Sequence, residues 1–225
     1  LRHGFIERRF TGGMQAGRSN AAAGSGNKTM NGAPTIGRAY LVSITVVLEG
    51  MLLLIATAWS WSAQLTILPQ LQPALYPCLL GILTAVGTVL ASLLFYRLGK
   101  NVPFFKQLRQ LSDEVLAPIA SQFTTTDIIL VSLASGVCEE VLFRGVMLPI
   151  WGLYPSSIIF GLVHSPTLKF LPYVIVTILA GFLFGCLYLQ TGSLWAPVIA
   201  HVLHNLISFA VIRSRAHSAQ EGADS

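Results

Sequence analysis

Six apolar stretches, separated by short polar connections, follow the first 37 residues of the chain. About 20 apolar residues in a helix cross the ~30 Å of bilayer hydrocarbon, so stretches of this kind predict membrane helices. They cover about residues 39–61, 76–98, 127–151, 155–168, 171–190 and 194–212. The fourth is short and ends at Ser165-Pro166, a helix break, so it could be a partial or re-entrant helix. The pattern predicts an all-α, polytopic membrane helix bundle of about six transmembrane segments.

Three local signals refine this prediction. Residues 103–120 mix apolar and charged side chains with helical spacing, which favours a helix lying in the membrane interface. Residues 124–127 carry the hydroxyl and carboxylate side chains that cap a helix N-terminus. Gly181 and Gly185 form a GxxxG arrangement, which lets a second helix approach closely.

Composition supports a membrane protein. The chain of 225 residues is 53% hydrophobic and 10% charged, with a mean hydropathy of +0.67, whereas soluble domains carry about 25% charged residues. The net charge of +5 lies in short segments beside apolar runs, which argues against nucleic acid as a partner. The three cysteines all lie in apolar segments and predict helix contacts rather than disulfides. The bundle is predicted to span residues 38–213.

The two ends of the chain differ from this apolar part. Residues 1–37 are rich in Gly, Ala, Ser, Asn, Arg and Lys, with Glu7 as the sole acid, and predict a disordered extension. The extension is similar in composition to a transit peptide, although a start at Met14 or Met30 would explain it equally well. Residues 214–225 predict a frayed polar tail.

Lysine and arginine occupy alternate connections between the apolar segments. They occur before the first segment, between the second and third, between the fourth and fifth, and after the sixth. By the positive-inside rule, this alternation predicts six crossings with both termini on the cytoplasmic side, or its plastid equivalent. The predicted location is a bacterial inner membrane or a plastid membrane.

The third apolar segment contains Glu139, Glu140 and Arg144. Each charge would cost roughly 2.5–3.5 kcal/mol inside a bilayer. Glu140 and Arg144 are four residues apart in the favoured order for a helical ion pair, so they predict a self-neutralising brace. Glu139 is turned about 100° away and has no intrahelical cation. Burial disfavours its charged form, which suits a group that accepts and returns a proton.

Further polar residues stand in the apolar segments. His164 precedes the break at the end of the fourth segment, and His201 and Asn205 share one face of the sixth. Any one of them alone predicts an interhelical hydrogen bond, but together with an unpaired glutamate they indicate an active site. His204 flanks the same arc and could be a further ligand, a substrate contact or, as we favour, a packing residue. For Glu49 in the first segment, we favour an interhelical hydrogen bond over a catalytic or gating role.

Three spaced motifs resemble those of the CPBP family of intramembrane proteases, also called the ABI family, which includes the CAAX prenyl endopeptidases. They are Glu139-Glu140-x-x-x-Arg144, Phe160-x-x-x-His164 and His201-x-x-x-Asn205, in that order on separate segments. The resemblance covers about residues 127–212. It implies an all-α membrane bundle with a catalytic cavity opening within the bilayer, and a supporting role for Glu140 and Arg144.

The resemblance also implies the remaining roles. Glu139 would activate a water with the help of His164, while His201 and Asn205 would stabilise the oxyanion. Should a metal be used, Glu139, His164 and His201 would be its ligands, and Zn²⁺ would suit them. The sequence contains no HExxH motif, and a water activated directly by a glutamate needs no metal. We therefore favour a mechanism without a cofactor.

The predicted function is an intramembrane endopeptidase, either of the glutamate type or a metalloprotease, that hydrolyses peptide bonds near the membrane surface. Its partners would be the lipid bilayer and a peptide or prenylated-protein substrate; in a bacterium, a bacteriocin-related or other membrane peptide would replace the prenylated protein. One alternative is a proton- or ion-coupled transporter, although paired inverted repeats are not visible in the sequence. The other is a non-catalytic membrane scaffold or immunity protein.

Overall fold

A computed structural model describes residues 37–164 and 170–222, without the side chain of Gln220. Within these residues the regular secondary structure is helical and contains no strand, which confirms the all-α class. The predicted disordered extension lies outside the described residues except for Gly37, as does the Ser165-Pro166 break.

The described residues form nine α-helices. They are α1 Arg38–Ser62, α2 Leu75–Leu98, α3 Pro103–Gln110, α4 Ala117–Gln122, α5 Thr125–Glu140, α6 Leu148–Trp151, α7 Leu153–Val163, α8 Leu171–Thr191 and α9 Trp195–Glu221. A 3₁₀ turn, Leu68–Leu71, lies between α1 and α2. Two π-helical segments join neighbouring helices: Leu111–Leu116 joins α3 to α4, and Val141–Met147 joins α5 to α6.

Four helices, α1, α2, α8 and most of α9, are long and apolar enough to cross a membrane. Only 11% of the apolar stretch of α1 and 17% of that of α2 is buried inside the protein. Large apolar side chains therefore face outward from both helices, as expected for helices surrounded by lipid. The protein is a membrane helix bundle. The crossings predicted for the α5–α6 segment and for the shorter α7 stay predictions.

The last helix is longer than predicted. It continues to Glu221, so the expected end near Ile212 and the frayed tail are wrong for residues 214–221. Arg213 supplies one physical reason, because its guanidinium donates hydrogen bonds to Phe123 O at 3.1 Å and Thr125 Oγ1 at 3.3 Å. These bonds tie the polar turns of α9 to the junction between α4 and α5.

The predicted helix cap is present at the start of α5. Thr124 Oγ1 accepts a hydrogen bond from the backbone N–H of Asp127 at 3.2 Å, and Asp127 Oδ2 accepts from the Thr124 N–H at 2.7 Å. This reciprocal capping box satisfies backbone donors that the first turn leaves free. Arg38 at the start of α1 donates to Asp127 at 2.6 Å and so joins α1 to α5.

Glycines allow the helices that carry the motifs to pack closely. A Cβ placed on Gly181 of α8 would lie 3.0 Å from the carbonyl oxygen of Ser157 in α7, which confirms that the GxxxG face receives another helix. A Cβ on Gly136 of α5 would lie 2.9 Å from the backbone nitrogen of Val202 in α9. The motif on α5 thus meets α9, and α8 holds α7 closely.

Candidate active site

The predicted ion pair between Glu140 and Arg144 forms in the interior of the bundle. Glu140 ends α5, and Arg144 lies in the π-helical segment that follows; their side chains are 0% and 2% exposed. Arg144 Nη1 donates to Glu140 Oε1 at 2.8 Å, and Nη2 donates to the carbonyl of Gly181 at 3.0 Å. The brace therefore also fastens this segment to α8. Single π-helical turns inside α-helices often mark functional sites.

Aromatic rings surround the guanidinium of Arg144. Its Cζ lies 4.3 Å from the ring centre of Phe160, 5.5 Å from that of Phe184 and 5.9 Å from that of Phe143. The faces of aromatic rings attract cations, most strongly where water is excluded. The rings come from the π-helical segment, α7 and α8, so this cation holds three parts of the bundle together.

His201 of α9 binds Glu140 rather than Glu139. Its Nδ1 lies 2.8 Å from Glu140 Oε1, the same oxygen that accepts from Arg144. Because an ionised carboxylate oxygen only accepts hydrogen bonds, Nδ1 carries the hydrogen. The neutral ring then has a lone pair at Nε2, so donation to an oxyanion from Nε2 requires the cationic form.

Glu139 has no comparable partner for its Oε2 atom. Its side chain is 10% exposed, and His164 Nε2 lies 3.3 Å from Oε2. That is ion-pair distance, yet Oε2 has no hydrogen-bond partner with suitable geometry among the described residues. His164 Nδ1 lies 2.7 Å from the carbonyl of Phe160, which can only accept, so Nδ1 carries a hydrogen and Nε2 faces Glu139. The pair is oriented to hold or pass a proton.

Asn205 and His204 of α9 point to different neighbours. Asn205 Nδ2 donates to Ser135 Oγ at 2.9 Å, and Ser135 lies one helical turn before Glu139. His204 Nδ1 lies 3.0 Å from Thr88 Oγ1 on α2. This contact agrees with the favoured interpretation of His204 as a packing residue. Asn205 instead contacts the face of α5 that carries Glu139.

The structure adds two residues that the motifs do not contain. Glu49 of α1 is buried, and its carboxyl group is close enough to that of Glu139 for the two side chains to share a hydrogen bond. The predicted interhelical bond of Glu49 therefore reaches the candidate site. Tyr173, near the start of α8, lies within electrostatic range of Glu139. Glu49 could be singled out in the sequence because it is an acid in an apolar segment, but the sequence did not indicate that Glu139 is its neighbour.

The three residues that a metal would require are Glu139, His164 and His201. Among residues 37–164 and 170–222, no group of three or more His, Cys, Asp or Glu side chains could hold a metal ion. Glu139 and His164 face each other, but His201 turns its Nδ1 to Glu140. A carboxylate on Nδ1 leaves Nε2 of His201 available to a ligand, so the Zn²⁺ site considered from the sequence stays a prediction.

A cavity of about 330 Å³ lies at the junction of α2 and α3. Its lining residues are Gly99, Lys100, Lys106, Arg109, Gln110, Asp113 and Glu114. None of them belongs to the cluster around Glu139. This cavity is therefore not the catalytic cavity that the family resemblance implies.

Comparison with known proteins gives two relatives in Bacillus subtilis (strain 168). One is "Uncharacterized protein YpbD", 36% identical over 96 residues, which are 42% of this chain and 50% of that protein. The other is "Putative membrane peptidase YdiL", 34% identical over 95 residues, which are 38% of this chain and 36% of that protein. The chain thus spans half or less of the length of these relatives. No solved structure matches the chain.

A family model described as "Type II CAAX prenyl endopeptidase Rce1-like" matches residues 121–207. The match begins in α4, ends in α9 and includes all three motifs. Residues 121–207 of the chain are therefore similar to the type II CAAX prenyl endopeptidases, which confirms the resemblance drawn from the motifs.

Proposed function

We propose that the protein is an intramembrane endopeptidase that hydrolyses peptide bonds near the membrane surface with a water activated by Glu139. The observation that carries this proposal is the difference between two adjacent glutamates. Glu140 is bound by Arg144 and His201, whereas Glu139 faces His164 with a buried oxygen that has no hydrogen-bond partner among the described residues. A buried carboxylate that no arginine neutralises is available for proton transfer.

Glu139 and His164 act on the water and on the leaving group. Glu139 takes a proton from the water, whose oxygen forms a bond to the scissile carbonyl carbon. The C=O π electrons move to the oxygen and form a tetrahedral oxyanion. His164, oriented by its bond to Phe160, relays the proton to the amide nitrogen, and the C–N bond breaks as the carbonyl re-forms. The products are a carboxylic acid and an amine.

His201 and Asn205 stabilise the oxyanion. The amide group of Asn205 has two hydrogens, of which Ser135 accepts one, so the second can meet the developing charge. His201 donates from Nε2 when both ring nitrogens carry a hydrogen, and Glu140 holds its Nδ1. Arg144 keeps Glu140 in place for that purpose.

The substrate class follows from the membrane setting and the family. The candidate site lies among membrane helices, so a substrate must present its peptide bond from within the bilayer or at its surface. A prenylated C-terminus is the substrate that the family name describes; a membrane peptide without a prenyl group is the alternative. We place both termini on the cytoplasmic side, as the Lys and Arg distribution predicts.

A cleavage assay with the purified protein in liposomes tests the proposal. Wild-type protein is expected to cut members of a library that contains farnesylated and unmodified peptides, with the products identified by mass spectrometry. His164→Ala should lower the rate about 10²–10⁴-fold because it removes the proton relay. Glu114→Gln, which changes an exposed carboxylate outside the site, is the control and should match wild type. Equal rates for wild type and His164→Ala would refute the mechanism.

Cleavage is expected to survive removal of divalent metals. The proposed reaction needs only a base and hydrogen-bond donors, so it does not depend on Glu139, His164 and His201 binding a metal. The measurement is the cleavage rate after dialysis against EDTA and phenanthroline, with a zinc endopeptidase treated in parallel as a positive control. Loss of activity that Zn²⁺ restores would contradict the metal-free mechanism.

A further inference from the structure

Glu49 occupies an unusual position on α1. The helix is exposed along most of its length, and its buried residues are Glu49, Ala56 and Ser60. These three lie seven and four residues apart, so they form one stripe that faces the rest of the bundle. An alanine and a serine suit close packing, but a carboxyl group that is 8% exposed does not.

The carboxyl group of Glu49 faces the carboxyl group of Glu139. The two side chains are close enough to share a hydrogen bond. Yet Glu49 Oε2 and Glu139 Oε2 are both buried without a hydrogen-bond donor among the described residues. Two ionised carboxylates can only accept, so they cannot bond each other. A single hydrogen held between the two carboxyl groups supplies the missing hydrogen-bond donor.

The charges of the cluster lead to the same conclusion. Arg144 neutralises Glu140, and His164 lies against Glu139. The titratable groups that act on Glu49 in the described part of the chain are Glu139 and His164, and Cys138 is a further neighbour. Among the described residues, the one group that could act on Glu49 as a cation is His164, and its Nε2 already faces Glu139. Two like charges at short range in an apolar site cannot both persist, so one carboxyl group stays protonated.

We propose that Glu49 is a further residue of the active site, a protonated carboxyl group that donates its hydrogen to Glu139. This bond holds the Glu139 carboxylate in place between α1 and His164, where it can act on the attacking water. Glu49 is thus a positioning residue, because it acts on the reaction through Glu139. The inference rests on the proposed peptidase function for its effect on rate, but the hydrogen bond itself can be tested without cleavage.

Two variants of Glu49 separate positioning from packing. Glu49→Gln keeps the shape and an N–H donor, so kcat should fall no more than about fivefold, the equivalent of one ordinary hydrogen bond. Glu49→Leu removes the donor and should lower kcat about 10²-fold with KM unchanged, since misplacement of a reacting group costs about that much. Leucine removes a buried polar group from the stripe that faces the bundle, so thermal unfolding in detergent should show no loss of stability for Glu49→Leu.

A structural role predicts a different result. If Glu49 only packs α1 against α5, Glu49→Leu keeps the wild-type kcat, and that result overturns the proposal. Equal, strong losses for Glu49→Gln and Glu49→Leu in folded protein also overturn it, because the carboxyl group itself would then be transferring a proton to the substrate.

Infrared spectroscopy provides a readout that does not need a substrate. Wild-type protein should show the band of a protonated carboxyl group, and both Glu49→Gln and Glu49→Leu should lose it. Glu114→Gln should keep it. If wild type cleaves no peptide but shows this pattern, the proposed function fails while the Glu49–Glu139 hydrogen bond stands. If wild type cleaves peptides but the two Glu49 variants keep the band, only the inference about Glu49 fails.

Discussion

Replacing Glu139 with glutamine is expected to lower peptide cleavage by at least about 10²–10⁴-fold, the usual contribution of a general base. The amide has nearly the same shape as the carboxyl group but cannot take a proton from water. The fold should be preserved, because Glu139 has no structural ion pair like that of Glu140, and neutralising a buried carboxyl group lowers the cost of burying it. The measurements are single-turnover cleavage and thermal unfolding in detergent.

The neighbouring glutamate is the matched control for this prediction. Glu140→Gln alters the same type of residue one position away, but its carboxylate binds Arg144 and His201. It should therefore lower the stability as well as the activity, whereas Glu139→Gln lowers the activity alone. Full activity of Glu139→Gln would remove Glu139 from the reaction.

Arg144→Ala is expected to lower the free energy of unfolding by about 3–5 kcal/mol, the usual cost of breaking a buried ion pair. It leaves the fully buried carboxylate of Glu140 without its cation and removes the guanidinium from between the rings of Phe160 and Phe184. It also removes the bond to the carbonyl of Gly181. Thermal or denaturant unfolding in detergent micelles measures the loss.

Arg109→Ala is the control because Arg109 forms an ion pair of the same spacing outside the bundle interior. Arg109 Nε lies 3.4 Å from Asp113 Oδ2, and the two side chains are 29% and 45% exposed. Water screens such a pair, so its loss should cost less than about 1 kcal/mol. Equal destabilisation by Arg109→Ala and Arg144→Ala would contradict the interpretation of Arg144 as a buried brace.

Features that depend on nearby residues could be predicted from the sequence. The Glu140–Arg144 pair needs only the four-residue spacing of a helix, and the capping box needs only Thr124 and Asp127 in their order. The helix contact at Gly181 follows from the absence of a side chain there. The end of α9 was missed in part because Arg213, at its polar end, is held by Phe123, which lies far away in the sequence.

The arrangement of the site across helices could not be predicted in this way. A soluble helix shows by its apolar stripe which face turns inward, but a membrane helix is apolar all round. The sequence therefore does not indicate how α1 and α9 are rotated about their own axes. That rotation decides whether Glu49 meets lipid or Glu139, and whether His201 meets Glu139 or Glu140.

The sequence by itself determined the all-α membrane class, the order of the motifs and the division between Glu140, held by Arg144, and Glu139, without a cation in its own helix. Only the tertiary structure decided which residues from other helices contact each of the two glutamates. It joined His201 to Glu140, set His164 against Glu139, and brought Glu49 from outside the motifs to the same carboxyl group. The reason is physical: spacing within one helix is set by backbone geometry, whereas contacts between helices are set by packing.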